Sequence, residues 1–266
     1  MIIDFHTHIF PDKIAARTIE ALETKAGLTA STDGTLNGLL ASMENAEVDM
    51  SVVLPVVTKP SQFETVNTFA ASVNEQYKGK LLSFGGIHPD TEDYKGELNR
   101  IKDLGLKGIK IHPDYQGVMI DDVRYMNIIE YADALDLIIL THAGIDIGLP
   151  EPVHCPPDKM RKVMDQLKPK RMVAAHYGGW NQWEEVYEYL AGENLYLDTA
   201  FTFGYIQEEM FYKIIEKHGS DKILFATDCP WGYQKEDVER LKKMDLTNEV
   251  KDAVFYKNAK KLLEIQ

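Results

Sequence analysis

Cysteine, positive charge and long apolar runs are scarce in this sequence, and each shortage excludes a class of protein. Two of the 266 residues are cysteine, Cys155 and Cys229, which is too few for a disulfide framework and is compatible with a reducing compartment. Lysine and arginine total 29 against 42 acidic residues, so the formal net charge is -13 at pH 7. Because nucleic acids and anionic membranes bind positively charged surfaces, we expect neither as a partner.

The first residues, MIIDFHTHIF, lack the basic region with which a signal peptide begins, and a charge already stands at Asp4. No segment approaches the roughly 18 consecutive apolar residues that a membrane-spanning helix needs. We therefore expect a cytoplasmic location. What the chain does contain is ordinary for a globular protein: 44% of its residues are hydrophobic and 27% are charged, enough to build a sizeable core.

Eight short runs rich in Ile, Val and Leu alternate with longer segments of helical periodicity. Such runs are typical of parallel strands that are buried on both faces. The predicted strands cover residues 1–9, 50–57, 81–89, 108–113, 137–144, 171–179, 195–201 and 223–231. Eight successive βα units predict an α/β fold, a single-domain (β/α)8 TIM barrel over residues 1–266. The segment 10–48 has room for an extra helix or an active-site loop.

A doubly wound open sheet has the same alternation of strands and helices and is the alternative fold. Its dinucleotide-binding form carries a GxGxxG motif after a strand, and no such motif is present in the sequence. The dinucleotide-binding version of the open sheet therefore has no support.

Six predicted strands carry ionisable side chains at or near their carboxyl ends. In a barrel these ends gather at one mouth, which is where the active sites of barrel enzymes lie. Chance placement would scatter such residues along the chain. The residues concerned are His6, His8, His88, Lys110, His112, His142, His176 and Asp228.

The segment His6-Thr7-His8 is the most informative of these. Residues two apart on a strand point to the same face, so both imidazoles enter the barrel mouth together. Two neutral imidazoles so placed suit one Zn²⁺ at about 2.0–2.1 Å from each nitrogen. An isolated pair of this kind is more often two core or surface histidines. At the end of a first barrel strand, with further ligands on later strands, we favour metal binding.

His142 and Asp228 supply the remaining predicted ligands. His142 follows the apolar run LIILT, and a catalytic metal site needs three or four protein groups and an open position. Asp228 follows the run ILFAT, and a buried carboxylate must be paired, hydrogen-bonded or bound to metal. The alternatives are a hydrogen-bonded histidine at a strand end and an N-cap for the next helix.

His176, Lys110 and His112 each have more than one assignment. His176 is predicted to polarise a substrate carbonyl or to orient the attacking water, and the two glycines after it allow close approach of backbone to a ligand. Lys110 and His112 lie two apart and face the same side, where either suits a substrate anion. A carbamylated Lys110 would instead bridge two metal ions, and a solvated pair at a strand end stays open.

In chain order, the two histidines of HTH, the later histidines and the final aspartate resemble the ligand set of the amidohydrolase superfamily. The segments IDFHTHIFP, KGIKIHP, FATDCPW and FYKNAKKLL resemble one branch, which includes aminocarboxymuconate-semialdehyde decarboxylase and resorcylate-type decarboxylases. The resemblance spans nearly the whole chain. It implies one zinc ion held by His6, His8, His142 and Asp228, with His176 activating the metal-bound water.

Binuclear relatives in the superfamily carry a carboxylated lysine on strand four, where Lys110 stands, so the resemblance is compatible with one or two ions. Zinc is the expected ion, although His and Asp ligands also suit manganese and other divalent ions. With metal-activated water, the expected activity is hydrolysis of a small-molecule amide, lactone or ester, and Asp228 moves the proton to the leaving group.

Two alternatives to hydrolysis stay open. The same site suits removal of carbon dioxide from an unsaturated or aromatic carboxylic acid. A flat or cyclic substrate is favoured by the aromatic residues of the connecting loops, Tyr115, Trp180, Phe201, Phe203, Tyr205 and Trp231. The other alternative is a barrel that binds metal and ligand without turnover, but structural zinc sites are normally closed and often contain cysteine.

Related barrels often form homodimers, so a homodimer is expected here, although no segment of this sequence specifically indicates one.

Overall fold

The computed structural model describes residues 1–265, and its strands are short, parallel and buried. Each of the eight predicted strands contains an observed strand, and the third is divided in two at Phe84. The strands are β1 (Ile3–Thr7), β2 (Met50–Val53), β3 (Leu81–Ser83), β4 (Gly85–Gly86), β5 (Gly108–Ile111), β6 (Ile138–Thr141), β7 (Met172–Ala174), β8 (Tyr196–Asp198) and β9 (Ile223–Leu224). Most end earlier than predicted because the residues that close each apolar run leave the sheet and begin the connecting loops.

The strands form two parallel sheets with the orders β1-β2-β3 and β4-β5-β6-β7-β8-β9. Between the two sheets, the backbone N–H of Phe84 donates to a carbonyl of β2 at 2.9 Å. At the other end of the strand order, where the segment after β9 meets β1, the Phe5 N–H donates to the Phe225 carbonyl at 2.9 Å. The Asp228 N–H likewise donates to the His6 carbonyl at 2.8 Å. The segment after β9 therefore runs beside β1, in agreement with the predicted (β/α)8 TIM barrel.

Helices occupy the connections, and the long segment after β1 holds two of them, which agrees with the extra helix, one of the two alternatives for this segment. The helices are α1 (Asp12–Ala26), α2 (Leu36–Ala46), α3 (Phe63–Gln76), α4 (Tyr94–Asp103), α5 (Pro113–Gln116), α6 (Val123–Ala134), α7 (Pro157–Leu167), α8 (Trp183–Tyr189), α9 (Glu208–His218), α10 (Gln234–Lys243), α11 (Asn248–Asp252) and α12 (Asn258–Leu263). Helical turns also occupy Pro60–Gln62, His176–Gly178, Ser220–Lys222 and Ala253–Lys257. Within residues 1–265, none of the helices has the length and apolar character needed to cross a membrane.

α7 illustrates how the sequence specifies these helices. Pro157 occupies its first position, where the missing N–H costs no hydrogen bond. Met160, Val163 and Met164 follow at helical spacing and are buried against the sheet side. The helix ends where Lys168 adopts a left-handed conformation, with its backbone N–H bonded to the Met164 carbonyl.

Both faces of the strands are buried, as β6 illustrates. Ile138 and Leu140 belong to an apolar cluster formed mostly by strand residues, which fills the barrel interior. Ile139 belongs to a second cluster, shared with residues of the surrounding helices. His142 comes two residues after Leu140, so the alternation of side chains directs it to the interior side at the carboxyl end of the strand. The barrel mouth at these ends is therefore the place where the polar side chains meet.

Candidate metal centre

Three side chains from the two ends of the chain converge at the carboxyl ends of β1 and β9. The Nε2 atoms of His6 and His8 lie 3.1 Å apart. Oδ1 of Asp228 lies 3.1 Å from Nε2 of His8 and 3.4 Å from Nε2 of His6. The three meet because the segment after β9 pairs with β1 through the backbone. We refer to His6, His8 and Asp228 as the metal group.

The hydrogen bonds of the two histidines determine what the metal group can bind. Nδ1 of His6 lies 2.9 Å from Oδ2 of Asp198, and Nδ1 of His8 lies 2.8 Å from the Leu54 carbonyl oxygen. A carboxylate and a carbonyl accept, so each Nδ1 carries the proton and each neutral imidazole presents the lone pair of Nε2. Two such lone pairs and a carboxylate oxygen then face one another. This set of donor atoms fits a divalent cation.

The spacing of the atoms agrees with that fit. Two nitrogens held at about 2.0–2.1 Å by one tetrahedral ion lie about 3.3–3.4 Å apart. The distance of 3.1 Å between Nε2 of His6 and Nε2 of His8 is close to this value. The sequence expectation that both imidazoles enter the mouth together therefore agrees with the structure, while their role as ligands stays a prediction.

Asp198, at the end of β8, belongs to the site although no sequence prediction included it. Its Oδ2 accepts from Nδ1 of His6, and its Oδ1 accepts from the backbone N–H groups of His176 and Ala200 at 2.9 and 3.1 Å. A carboxylate behind a ligating histidine fixes the tautomer and orientation of the ring. The signal was present in the sequence, because Asp198 stands at the carboxyl end of an apolar strand like the residues that were predicted.

His176 and His142 form a hydrogen-bonded pair beside the metal group. His176 donates from Nδ1 to the Ala200 carbonyl at 2.9 Å, so its Nε2 accepts, and Nδ1 of His142 lies 3.0 Å from that atom. His142 therefore donates from Nδ1. Its buried Nε2 has no hydrogen-bond partner among the described residues. The structure does not join this predicted third ligand to the metal group, and the role stays a prediction.

His142 instead belongs to a second group with His112 and Asp146, whose possible ligand atoms lie within 4.8 Å of one another. The rings of His112 and His142 are stacked, with centroids 4.2 Å apart and planes 10° from parallel. Parallel rings direct their in-plane lone pairs side by side rather than toward one point, which suits a tetrahedral ion poorly. We therefore regard this group as a surface for contact with a bound molecule, rather than as a second metal site.

Lys110 is buried at the end of β5, and its Nζ lies 3.2 Å from Nε2 of His6. Burial lowers the pKa of Lys110 below its ordinary value, while the carboxylates of Asp198 and Asp228 act in the opposite direction. The amine thus stands as a hydrogen-bond donor beside the metal group. Its two predicted roles, contact with a substrate anion and carbamylated bridge between two ions, both stay predictions.

Burial determines the charge of the site. It lowers the pKa of His6, His112 and His142 well below the ordinary range, and it lowers the pKa of His176 to about 4. Burial also acts to raise the pKa of Asp228, but contacts with neighbouring histidines outweigh it, and the pKa is lowered overall. At neutral pH these four imidazoles are neutral and the carboxylate is ionised, which are the forms that bind metal.

The metal group, Lys110 and His176 line one cavity of about 640 Å³ with mainly apolar walls. Of the predicted aromatic residues, Tyr115, Trp180, Phe201 and Trp231 line it. Phe203 and Tyr205 lie elsewhere, packed on aromatic neighbours of α9 and of the cavity wall.

The backbone is unusual at three residues that line this cavity. His176, Phe201 and Asp228 have φ values of 58°, 49° and 67°. Such left-handed conformations are uncommon for residues other than glycine and cluster at functional sites. All three follow strand ends, so the backbone turns sharply there and directs these side chains into the mouth.

A family model described as Amidohydrolase matches residues 3–265 of the chain. The chain belongs to the amidohydrolase family. The resemblance predicted from the sequence is therefore confirmed, and so is the expectation that this amidohydrolase is an enzyme. No curated protein sequence matches it.

Solved structures similar to this amidohydrolase share its fold over nearly their whole length. An uncharacterized TIM-barrel protein from Bordetella bronchiseptica has a TM-score of 0.81 at 18% identity, over 99% of this chain and 98% of its own. The 5-carboxyvanillate decarboxylase of Novosphingobium aromaticivorans has a TM-score of 0.75 at 15% identity, over 100% and 96%. The 2,6-dihydroxybenzoate decarboxylase of Rhizobium has a TM-score of 0.71 at 12% identity, over 99% and 98%. The predicted TIM-barrel fold is confirmed.

Proposed function

We propose that this amidohydrolase is a metal-dependent, non-oxidative decarboxylase of an unsaturated or aromatic carboxylic acid. The observation that carries the proposal is one cavity that combines the metal group with two cations. Lys110 lies beside His6, and the exposed Arg17 of α1 lines the wall without an ion pair to any carboxylate of residues 1–265. Cations that face an apolar cavity bind anions such as carboxylates strongly.

Two structurally similar proteins support this choice. The 5-carboxyvanillate decarboxylase was solved with manganese and 4-hydroxy-3-methoxy-5-nitrobenzoic acid, and a 2,6-dihydroxybenzoate decarboxylase was solved with 2,6-dihydroxybenzoate. Both bind a carboxylic acid attached to an aromatic ring. The proposal extends this substrate class to the present chain, whose cavity has aromatic side chains and cations in its wall.

We propose one divalent ion per chain, held by His6, His8 and Asp228, with His142 as the fourth ligand expected from the sequence. Zinc and manganese both suit this donor set. Such an ion polarises a bound carboxyl or phenol oxygen and lowers the pKa of bound water toward about 7. To take this role, His142 must exchange its hydrogen bond with His176 for the ion.

Side chains of the cavity bind the substrate and transfer the proton. Lys110 and Arg17 hold the substrate anion, and Phe201 and Trp231 contact the flat ring. The bond between the carboxyl carbon and the ring carbon breaks, carbon dioxide leaves, and the ring carbon keeps the electron pair and takes up a proton. Asp228, which is ionised at neutral pH, takes this proton from water and passes it to the ring carbon, a role typically worth about 10²–10⁴-fold in rate.

Hydrolysis of an amide, lactone or ester, the activity that the sequence favoured, is the second candidate. The observation in its favour is His176, whose Nε2 is unprotonated and lies on the cavity wall next to His6, with 5.4 Å between ring centroids. An unprotonated imidazole suits a base that takes a proton from attacking water.

Metal content tests the centre. We expect about one zinc or manganese ion per chain in protein purified without added metal, retained in the surface variant Asp221→Asn and lost in His6→Ala and Asp228→Asn. Loss in His142→Ala as well would assign the fourth ligand. Two ions per chain, with one lost in Lys110→Ala, would support a binuclear site instead. No bound metal before or after reconstitution would contradict the proposal.

Isotope labels separate the two reactions. Metal-loaded protein is incubated with hydroxybenzoic acids in D₂O, and with aryl esters and lactones in H₂¹⁸O. Decarboxylation releases carbon dioxide and leaves deuterium on the carbon that carried the carboxyl group, and we expect this outcome to disappear on chelation and in Asp228→Asn. Incorporation of ¹⁸O into a released acid, without release of carbon dioxide from any acid, would replace the decarboxylase proposal by hydrolysis.

A further inference from the structure

α1 lies across the mouth of the barrel. It begins at Asp12, shortly after His8 of the metal group. Near its other end, Nζ of Lys25 lies 5.3 Å from the centre of the Tyr115 ring, and that ring lies 4.3 Å from the ring of His112 after β5. The helix therefore passes from the β1 side of the mouth to the side formed by the loops after β5 and β6.

One face of α1 lines the cavity that contains the metal group. The residues of this face, which we call the α1 stripe, recur every fourth position and are half-buried: Ile14, Thr18, Leu22 and Ala26. Such spacing places side chains on one side of a helix. From Ile14 to Ala26 the helix advances by about 18 Å, at about 1.5 Å per residue. The stripe, apolar except for Thr18, is thus a wall much longer than the metal group itself.

α3 contributes another wall of the same cavity. Thr65, Val66 and Phe69 line it, and because Thr65 and Val66 precede Phe69 by four and three positions, the three lie on one helical face. The cavity is therefore continuous from the metal group to the space bounded by α1 and α3. Because the α1 stripe, Val66 and Phe69 are only partly buried and line the cavity, the space between the two helices is accessible to a ligand.

The size of the cavity exceeds what a single-ring acid fills. An acid such as 2,6-dihydroxybenzoate has about eleven non-hydrogen atoms. Even at the loose density of liquid water, about 30 Å³ per oxygen, these occupy about 330 Å³. The cavity measures about 640 Å³, so roughly half of it would stay empty beside such a substrate.

We infer that the substrate is an extended amphipathic acid whose apolar portion, an alkyl chain or second ring, lies between the α1 stripe and α3. The inference rests on the proposed function for the position of the acid group at the metal centre. Its apolar portion is recognised by burial, and each buried methylene group strengthens binding by about fourfold. Specificity for length then resides in α1, most directly in Leu22 at the middle of the stripe.

A homologous series tests the inference without knowledge of the natural substrate. The 4-alkyl-2-hydroxybenzoates from methyl to octyl are titrated into metal-loaded protein by calorimetry. We expect Kd to fall about threefold to fourfold per methylene until the space between the helices is filled. In Leu22→Trp, whose indole fills that space, we expect the longer members to lose more than tenfold in affinity and the methyl member to bind as before.

Ala21→Trp is the matched control, because Ala21 is the exposed neighbour of Leu22 on the outer side of α1. Leu22→Asn removes apolar contact without adding bulk, and we expect it to flatten the dependence on chain length. Affinity that does not depend on chain length, or equal effects of Leu22→Trp and Ala21→Trp, would overturn the inference.

Failure of the proposed function has a different signature. His6→Ala is expected to weaken binding of every member of the series, since it removes the metal that, together with Lys110 and Arg17, holds the acid group. If His6→Ala binds the methyl member as tightly as the native protein, the acid group does not lie at the metal centre and the proposed function is contradicted. The gain per methylene, which His6→Ala retains, still decides the inference about α1 and α3.

Discussion

Asp198 determines which nitrogen of His6 faces the cavity. Because its carboxylate accepts from Nδ1 of His6, the lone pair of Nε2 is directed toward His8 and Asp228. The same carboxylate accepts from the backbone N–H of His176, so one buried side chain positions the carboxyl ends of β1 and β7 together. The metal group thus depends on a residue that does not itself belong to it.

Replacing Asp198 by Asn is expected to lower metal affinity by about 10–100-fold, the usual cost of losing a carboxylate behind a ligating histidine. The amide nitrogen of Asn cannot accept a hydrogen bond, so either His6 or the backbone N–H groups lose their acceptor. Competition with a chromophoric chelator measures the affinity, and circular dichroism verifies the fold. The exposed Asp221→Asn is the matched control. Equal affinity of both variants would contradict the positioning role.

At the residue scale, the positions that sequence patterns predicted best are those at strand ends. His6 and His8 enter the same mouth, as the strand period of two predicts, and Asp228 lies four positions after the last residue of β9. Asp146 and Arg17 also face the cavity, but they lie on a loop and a helix whose course no local pattern specifies. Their place in the site depends on how those segments pack, so the sequence did not indicate them.

At the scale of elements, the loops after β6 and β7 are held together just beyond the strands. The Trp180 N–H donates to the Ala143 carbonyl at 3.0 Å, and the Ile145 N–H donates to the Trp180 carbonyl at 3.0 Å. Gly144, between them, has φ of +81° and forms an isolated parallel bridge with Trp180. This close approach keeps the segment after His142 in place.

Gly144→Ala is expected to destabilise the fold by about 2–5 kcal/mol, the sum of left-handed strain and overpacking. Its Cβ would overlap the backbone of Gly179 and Trp180. Gly105→Ala is the matched control, since Gly105 has φ of +73° and open space around its Cβ position, and we expect a loss of about 1–2 kcal/mol. Urea unfolding measures both. Equal losses would show that the contact with Trp180 does not matter.

α10 carries a buried acid that makes stability depend on pH. Burial raises the pKa of Asp237 to about 8, although Arg240 lies 3.8 Å away and acts to lower it. The ordinary value is about 3.9, so between about pH 4 and pH 8 the folded state binds more protons at this residue than the unfolded state. Its contribution to stability is therefore greatest below this window and falls as pH rises through it.

In Asp237→Asn we expect the free energy of unfolding to fall less steeply between pH 5 and pH 8 than in the native protein. Urea unfolding at several pH values measures the slope. Glu239→Gln changes a half-exposed residue of the same helix that pairs with Lys242 rather than with Arg240, and it is expected to leave the slope unchanged. A native-like slope in Asp237→Asn would assign the pH dependence to other groups.

At the scale of the whole molecule, the metal group joins the two ends of the strand order. Nε2 of His8 and Oδ1 of Asp228 lie 3.1 Å apart although 220 positions separate them in the chain. An ion bound by both closes a long loop and binds only the folded chain with high affinity, so it stabilises the entire fold.

Chelation is expected to lower Tm by about 5–11 °C. At a free metal concentration of about 100 times Kd, binding contributes about 2.7 kcal/mol, and each kcal/mol shifts Tm by about 2–4 °C in a chain of this size. Differential scanning calorimetry with and without chelator measures the shift, and added zinc or manganese is expected to restore it. His6→Ala, which should not bind the ion, is expected to show no shift. An equal shift in His6→Ala would place the stabilising ion elsewhere.

The sequence by itself determined the succession of βα units, the burial of the strands on both faces and the positions of His6, His8 and Asp228 at strand ends, because these follow from periodicity within a few residues. Tertiary structure decided three other features. Asp198 acquires its role only when β8 lies behind β1, and His142 meets His176 and His112 only when β5, β6 and β7 are neighbours. α1 reaches across the mouth because its last turn contacts Tyr115. Each feature joins segments far apart in the chain, and contacts of that kind leave no periodic signal in the sequence.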